Sequence, residues 1–211
     1  MNNNTTTNNS VSSSDDKTVL GKKQNNKAKM IETVETIFIA LILAIFIRAT
    51  VAEARYIPSE SMVPTLLIND RLVVEKLSNY KGLPHRGDIL VFYPPFETNN
   101  ENIGKRIIKW LGFTKDAAYI KRVVGLPGET VEIRGGYVII DGKPLDESSY
   151  IRDKPDYEMP PLKIPDGELF LLGDNRNNSM DSHVWGTLPI ENIIGHAVVR
   201  FWPPQRIGKI N

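Results

Sequence analysis

The sequence predicts an all-β domain of packed antiparallel sheets, a barrel or a pair of sheets, behind a single N-terminal transmembrane helix. Three observations carry this. Every residue from Ile37 to Ile47 is apolar. After residue 55 the pattern changes to period two with many β-branched residues, the signature of half-buried strands. No long stretch with helical periodicity interrupts those strands, so two β layers must bury each other.

Residues 1–29 are rich in Asn, Thr, Ser and Lys and nearly free of large apolar side chains. Such a segment buries too little surface to offset its ordering entropy, so the reading is a disordered tail over 1–32, basic in its second half. The stretch "TVETIFIALILAIFIRATV" (33–51) follows. As a helix it is roughly 28 Å long at ~1.5 Å per residue, enough to cross a bilayer core. Glu35 and Arg48 stand near its ends, where long charged side chains reach the interface. The expected span is 33–52. The rival readings are a buried core helix and a cleaved signal peptide, the latter because "ATVAEA" supplies small residues. The excess of basic residues before the helix predicts a cytoplasmic N-terminus and an extracytoplasmic domain over 53–211.

Within that domain, "RLVVEKL" (71–77), "GDILVFY" (87–93), "YIKRVVG" (119–125), "TVEIR" (130–134), "YVIID" (137–141), "ELFLLGD" (168–174) and "HAVVRFW" (196–202) read as strands. "RGGY" is a hairpin turn between two of them. Residues 94–117 and 142–166 read as loops or insertions. There is no internal repeat.

The formal net charge is +1, which gives no electrostatic reason for a nucleic-acid partner. The absence of cysteine excludes a thiol nucleophile, a zinc–thiolate centre and a disulfide framework. The three histidines, His85, His183 and His196, include no pair at metal-ligand spacing, so neither a metal nor a cofactor is expected.

Three stretches have the composition for chemistry. In "RYIPSESMVPTL" (55–66), Pro58 and Pro64 restrict the backbone on either side of Ser61, which suits a nucleophile held at one angle and equally suits an ordinary Ser/Pro loop. In "YIKRVVGLPGE" (119–129), strand alternation sends Lys121 and Arg122 to opposite faces, one into the domain and one outward. A lysine facing an apolar interior loses its proton readily and becomes a competent general base. In "LLGDNRNNSMDSHVWG" (171–186), an apolar strand runs into a dense polar cluster, either a self-satisfied turn or the buttress of a site. Two schemes stay open on these residues: Ser61 with His183 and Asp181 or Asp174, or Ser61 with Lys121.

"IPSESMVPTL", "RGDILVF", "YIKRVVGLPGE" and "GDNRNNSMDSHVWG" occur in that order behind the apolar run. Together they closely resemble type I signal peptidases, membrane-bound serine proteases that remove signal peptides, over residues 33–203. The resemblance implies a signal-peptidase-like β fold with Ser61 as nucleophile and Lys121 as general base. It implies that Ser59 joins the Ser61 N–H in the oxyanion hole, that Ser179 hydrogen-bonds the lysine, and that Asp174 and Arg122 form a structural ion pair. It assigns Ile57, Pro58, Met62, Leu66, Tyr119 and Ile120 to the substrate pockets. The implied partners are signal-peptide-bearing preproteins and the lipid bilayer of the cell membrane or of an internal membrane such as a thylakoid. Two positions depart from the family pattern: Asn177 stands where Asp is usual and His183 where Arg is usual, leaving His183 as a pH-dependent substitute partner for Asp181. The alternatives are another Ser/Lys β-fold protease, of pilin-processing or self-cleaving type, and a membrane-tethered binding domain without catalysis. A self-cleaving repressor needs a DNA-binding module, which the polar tail does not supply.

Overall fold

The computed structural model describes residues 1, 15–80, 82–96, 104 and 118–210. Most of the insertion expected over 94–117 therefore lies outside the described residues. The chain divides into two units, residues 1–45 and 46–211.

The first unit carries most of helix α1, Asp15–Thr50. Within α1 the stretch Lys29–Thr50 contains an 18-residue window of mean hydropathy 2.3 with none of its residues buried within the protein, and Ala49 near the end of the helix is buried. Ile31, Val34, Ile37, Phe38, Ile42 and Phe46 are all exposed. This corrects the core-helix alternative, since a core helix buries at least one face. The helix begins at Asp15, inside the stretch read as a tail. Lys, Ala and Gln are good helix formers, so a helix nucleated in the apolar run extends readily through them.

The second unit holds twelve strands among the described residues. In chain order they are β1 (Ala52–Tyr56), β2 (Arg71–Glu75), β3 (Ile89–Phe92), β4 (Tyr119–Gly125), β5 (Thr130–Arg134), β6 (Tyr137–Ile140), β7 (Lys143–Pro144), β8 (Met159–Lys163), β9 (Glu168–Leu172), β10 (Leu188–Pro189), β11 (Ile193–Trp202) and β12 (Gly208–Lys209). One sheet runs β1-β2-β11-β3-β4-β9-β10, with β12 also paired to β11; the other runs β7-β6-β5-β8. All these pairings are antiparallel. A four-residue helix α2 (Ser182–Trp185) lies between β9 and β10.

Each of the seven segments read as strands contains one. The "RGGY" hairpin joins β5 to β6, and Gly135 and Gly136 take φ of 58° and 76°, as a two-residue turn with both central residues left-handed requires. Strand β8 corrects the loop reading of 142–166. Its sequence, MPPLK, looks unlike a strand, but β8 is an edge strand, where missing N–H donors are tolerated.

Strand β4 organises the core. Val123 packs with Leu90, Phe92, Leu169, Leu171 and Leu188. Val124 packs with Val131, Ile133, Val138, Ile164 and Phe170 of the second sheet's side. Ile120 packs with Ile57, Met62, Leu66, Leu72 and Val91. Alternation along one strand thus serves three apolar clusters, and the polar residues between them are held in the interior.

Candidate active site

The loop from Ile57 to Asp70 connects β1 to β2 and closes on itself: Ile57 N donates to Asp70 O and Asn69 N to Ile57 O, both at 3.0 Å. Inside it, Val63 N donates to Glu60 O and Leu66 N to Met62 O, so the chain coils tightly around Ser61. Met62 and Leu66 are fully buried and anchor the turn in the core. Ser61 is carried at the edge of that plug, 8% exposed.

Lys121 reaches it from β4. Lys121 Nζ lies 2.7 Å from Ser61 Oγ and donates to Ile120 O at 3.0 Å. The lysine is 4% exposed, and burial pushes its pKa down to about 8, with Asp181 and Asp174 opposing the shift in part. An amine that gives up its proton near pH 8, set beside a serine hydroxyl, is the arrangement that activates an otherwise weak nucleophile. Ser59 Oγ lies 3.4 Å from Ser61 Oγ on the same turn.

Strand alternation separates Lys121 from Arg122, as expected, but neither faces solvent: Arg122 is also buried. Its Nε and Nη2 donate to the two carboxylate oxygens of Asp174, each at 2.8 Å, and Nη1 donates to Gly87 O. Asp174 also accepts from Thr65 Oγ1, which ties the Ser61 loop to the ion pair. A charge that alternation turns away from the lysine is tolerated inside because a bidentate partner and a carbonyl satisfy it.

The segment after β9 forms the floor. Asn175 N donates to Ser61 O at 3.1 Å, and Asn175 Nδ2 donates to Glu60 O at 3.1 Å. A Cβ added at Gly173 would stand 2.2 Å from Ser179 Oγ and 2.5 Å from Ser61 O, so only glycine admits this approach. Ser179 departs from its expected role. Its Oγ is buried without a hydrogen-bond partner, and the lysine's bonds go to Ser61 and Ile120. The hydroxyl sits close over Gly173, in the space a side chain there would fill.

The Ser–His–Asp arrangement is not assembled. His183 Nδ1 lies 2.7 Å from Asp181 Oδ1, and its ring stacks on Tyr157 at 4.1 Å between centroids. The other oxygen of Asp181 accepts Gly173 N at 2.9 Å. His183 is therefore engaged with Asp181. Asn177 turns outward, accepting from Asp156 N and donating to Lys154 O.

Two adjoining clefts flank the dyad. One, of about 620 Å³, is lined by Pro58, Ser59, Ser61, Tyr119, Ile120 and Lys121, together with Glu60, Ile68, Ala118, Asn178 and Met180. The other, of about 210 Å³, shares Pro58, Ala118 and Ile120 and adds Ile57, Leu72 and Val91. Four of the six expected pocket positions line these clefts. Met62 and Leu66 do not: they lie behind the wall, because the turn that exposes Ser61 directs them into the core. Sequence reasoning also missed Glu60, though it stands between the two serines of the motif, and Met180 and Asn178, though they flank Ser179. A further omission is the buried pair of Arg176 and Glu147, joined by two bonds of 2.7 and 2.6 Å. Nothing local marks Glu147, which comes from the segment read as a loop. Among the described residues no cluster of side chains has the composition and geometry to hold a metal ion.

A family model described as signal peptidase, peptidase S26, matches residues 30–202. The chain is 52% identical over 181 residues to "Signal peptidase I" of Leptolyngbya laminosa, an alignment covering 86% of this chain and 84% of the relative. It is 50% identical over 179 residues to "Probable signal peptidase I-1" of a Synechocystis species, covering 85% and 86%. It is 38% identical over 178 residues to "Thylakoidal processing peptidase 1, chloroplastic" of Arabidopsis thaliana, covering 84% of this chain and 50% of the relative. Since the match spans residues 30–202, from the apolar helix to the end of the last long strand, and the relatives named signal peptidase I are about half identical over most of the chain, the chain belongs to the signal peptidase I family of serine endopeptidases.

Proposed function

We propose that this enzyme cuts signal peptides from exported preproteins with Ser61 as nucleophile and Lys121 as general base. The observation that carries the assignment is the 2.7 Å approach of a buried, pKa-depressed amine to a serine hydroxyl at the wall of an apolar cleft. Neutral Lys121 takes the Ser61 proton as Oγ attacks the scissile carbonyl. The oxyanion forms against the Ser59 hydroxyl and the Ser61 N–H. As the intermediate collapses, the lysine returns its proton to the leaving amine, and the signal peptide remains as an ester on Ser61. Lys121 then deprotonates a water, whose attack releases the peptide and restores the serine. Asp174 and Arg122 position β4 and the Ser61 loop.

The helix over Lys29–Thr50 anchors the enzyme in a membrane, N-terminus in the cytoplasm and catalytic unit outside, as its hydropathy and the basic residues before it favour. Ser61 is about ten residues beyond Val51, hence at most ~35 Å from the helix end along the chain. Scissile bonds just beyond a signal peptide's apolar core emerge at that same interface.

Incubating the full chain in detergent or liposomes with a signal-peptide-bearing preprotein tests the reading. Release of the mature protein, lost in Ser61→Ala, is the expected result. Cleavage of the enzyme alone supports a self-processing protease, and no cleavage of either supports a binding domain.

A further inference from the structure

None of the six positions that the resemblance assigns to the substrate pockets carries a charge. The larger cleft adds one that does. Glu60, between Ser59 and Ser61, lines it. Its side chain is exposed, and among the described residues it has no cationic partner. Its polar contact is with another lining residue, Asn178, whose Nδ2 stands 3.5 Å from Glu60 Oε2. The turn that carries it is held rigidly, since Glu60 O accepts from both Val63 N and Asn175 Nδ2. The lining residue of this cleft that can carry a positive charge is Lys121, which must be neutral to act as base. Glu60 is therefore the cleft's standing charge in the active form, fixed next to the nucleophile.

We infer that Glu60 is a specificity-determining residue that selects against acidic side chains, and favours basic ones, at a substrate position flanking the scissile bond. The proposal rests on the peptidase reading. A substrate threaded past Ser61 must lay the residues next to its cut bond against the Ser59–Ser61 turn. An aspartate there meets a like charge in the cleft walled by Ile68, Ile120 and Met180, and a bound peptide itself displaces part of the water that screens the two charges. A lysine meets an unpaired carboxylate. Because the charge sits on the wall, it acts on substrate choice without entering the proton transfers.

The test uses the full chain in detergent and a preprotein series with Asp, Asn or Lys placed singly at each of the three positions on either side of the cut. The quantity read is the ratio of kcat/KM values within one enzyme, so the overall activity of a variant cancels. In the wild type, at one or more positions, Asp should be cut about tenfold more slowly than Asn, and Lys at least as fast as Asn. Glu60→Gln should collapse that ordering, Glu60→Lys should reverse it, and Glu60→Asp should keep it. Raising the salt to about 0.5 M should shrink the wild-type ratio, a reading that needs no variant. An Asp/Asn ratio of one at all six positions, or a ratio unchanged in Glu60→Gln, overturns the proposal while leaving the peptidase intact. Failure of the wild type to cut any member overturns the peptidase reading and this one with it.

Discussion

Lys121 Nζ and Ser61 Oγ meet at 2.7 Å across 60 residues of chain, one carried by an interior strand of the large sheet and the other by a loop anchored in the core through Met62 and Leu66. That contact sets the first expectation. Ser61→Ala and Lys121→Ala should each abolish preprotein processing, with circular dichroism and thermal unfolding still showing a folded chain. Lys121→Arg should be equally inactive, because a guanidinium does not give up its proton. His183→Ala should keep substantial activity, since His183 is engaged with Asp181. An inactive His183→Ala beside an active Lys121→Ala would reverse the assignment of the base.

The pH profile follows from the lysine. Only neutral Lys121 accepts the serine proton, and its pKa is about 8. Processing rate should therefore level off above pH ~8 and fall about tenfold per unit below it. A rate flat from mildly alkaline to acidic pH would exclude lysine as the base. Stability carries the same signature. The folded pKa lies below the unfolded value, so between pH ~8 and ~10.4 the unfolded chain binds more protons and stability rises with pH. Below pH 8 the folded state bears the full cost of a buried ammonium. Lys121→Met should thus raise the stability at pH 7, by up to about 3 kcal/mol, and the gain should shrink towards pH 10, as denaturant titrations at both pH values will read.

Ser59 offers its hydroxyl 3.4 Å from the nucleophile. Losing an oxyanion donor typically lowers kcat by ~10²–10³. Ser59→Ala should do so with KM little changed, because the bond forms in the transition state, and Ser59→Thr should recover part of the loss. A kcat within a few-fold of wild type in Ser59→Ala would assign Ser59 to the turn alone.

The walls of the two clefts next to Ser61 should set which substrate side chains are accepted. Ala118 lines both clefts, with Pro58 and Ile120. Substrates with alanine at the first and third positions before the cut should be preferred, and phenylalanine at the first should be rejected by overpacking. Ala118→Leu should raise KM for the alanine substrates at unchanged melting temperature. Efficient cleavage after phenylalanine by the wild type would show that these clefts do not receive those side chains.

The Glu147–Arg176 pair gives a stability prediction. Arg176 is 1% exposed, donates to Gly173 O, and shares its setting with Tyr150, whose ring lies 4.2 Å from the Arg122 guanidinium. Glu147→Ala strands a buried guanidinium and should cost about 3–5 kcal/mol. The double variant Glu147→Leu, Arg176→Met should recover most of that in a chemical denaturation experiment.

Several elements were readable from composition and period alone. Strand β4 spans Tyr119–Gly125, as its alternation implied, and β5, β6 and β9 start where their patterns do. Elements whose residues depart from local propensity were not readable. Strand β8 is made of MPPLK and exists because Val131 and Thr130 of β5 offer it an edge. Strand β1 directly follows the apolar helix and pairs over its whole length with β2. Met62 and Leu66, apolar residues in a motif near the nucleophile, looked like pocket lining; whether such a residue faces substrate or core depends on the coil of the loop, which its sequence does not specify.

By itself the sequence determined the apolar span, the β character of the rest, and the three polar stretches from which any chemistry had to come. It did so because hydrophobic period and turn chemistry are local properties of the chain. Its residues left both Ser–Lys and Ser–His–Asp open. Tertiary structure decided between them by setting β4 and the Ile57–Asp70 loop around one apolar cluster, which brings Lys121 rather than His183 to Ser61. Burial there strips water from the ammonium, and only this long-range packing lowers the proton affinity of an otherwise ordinary lysine.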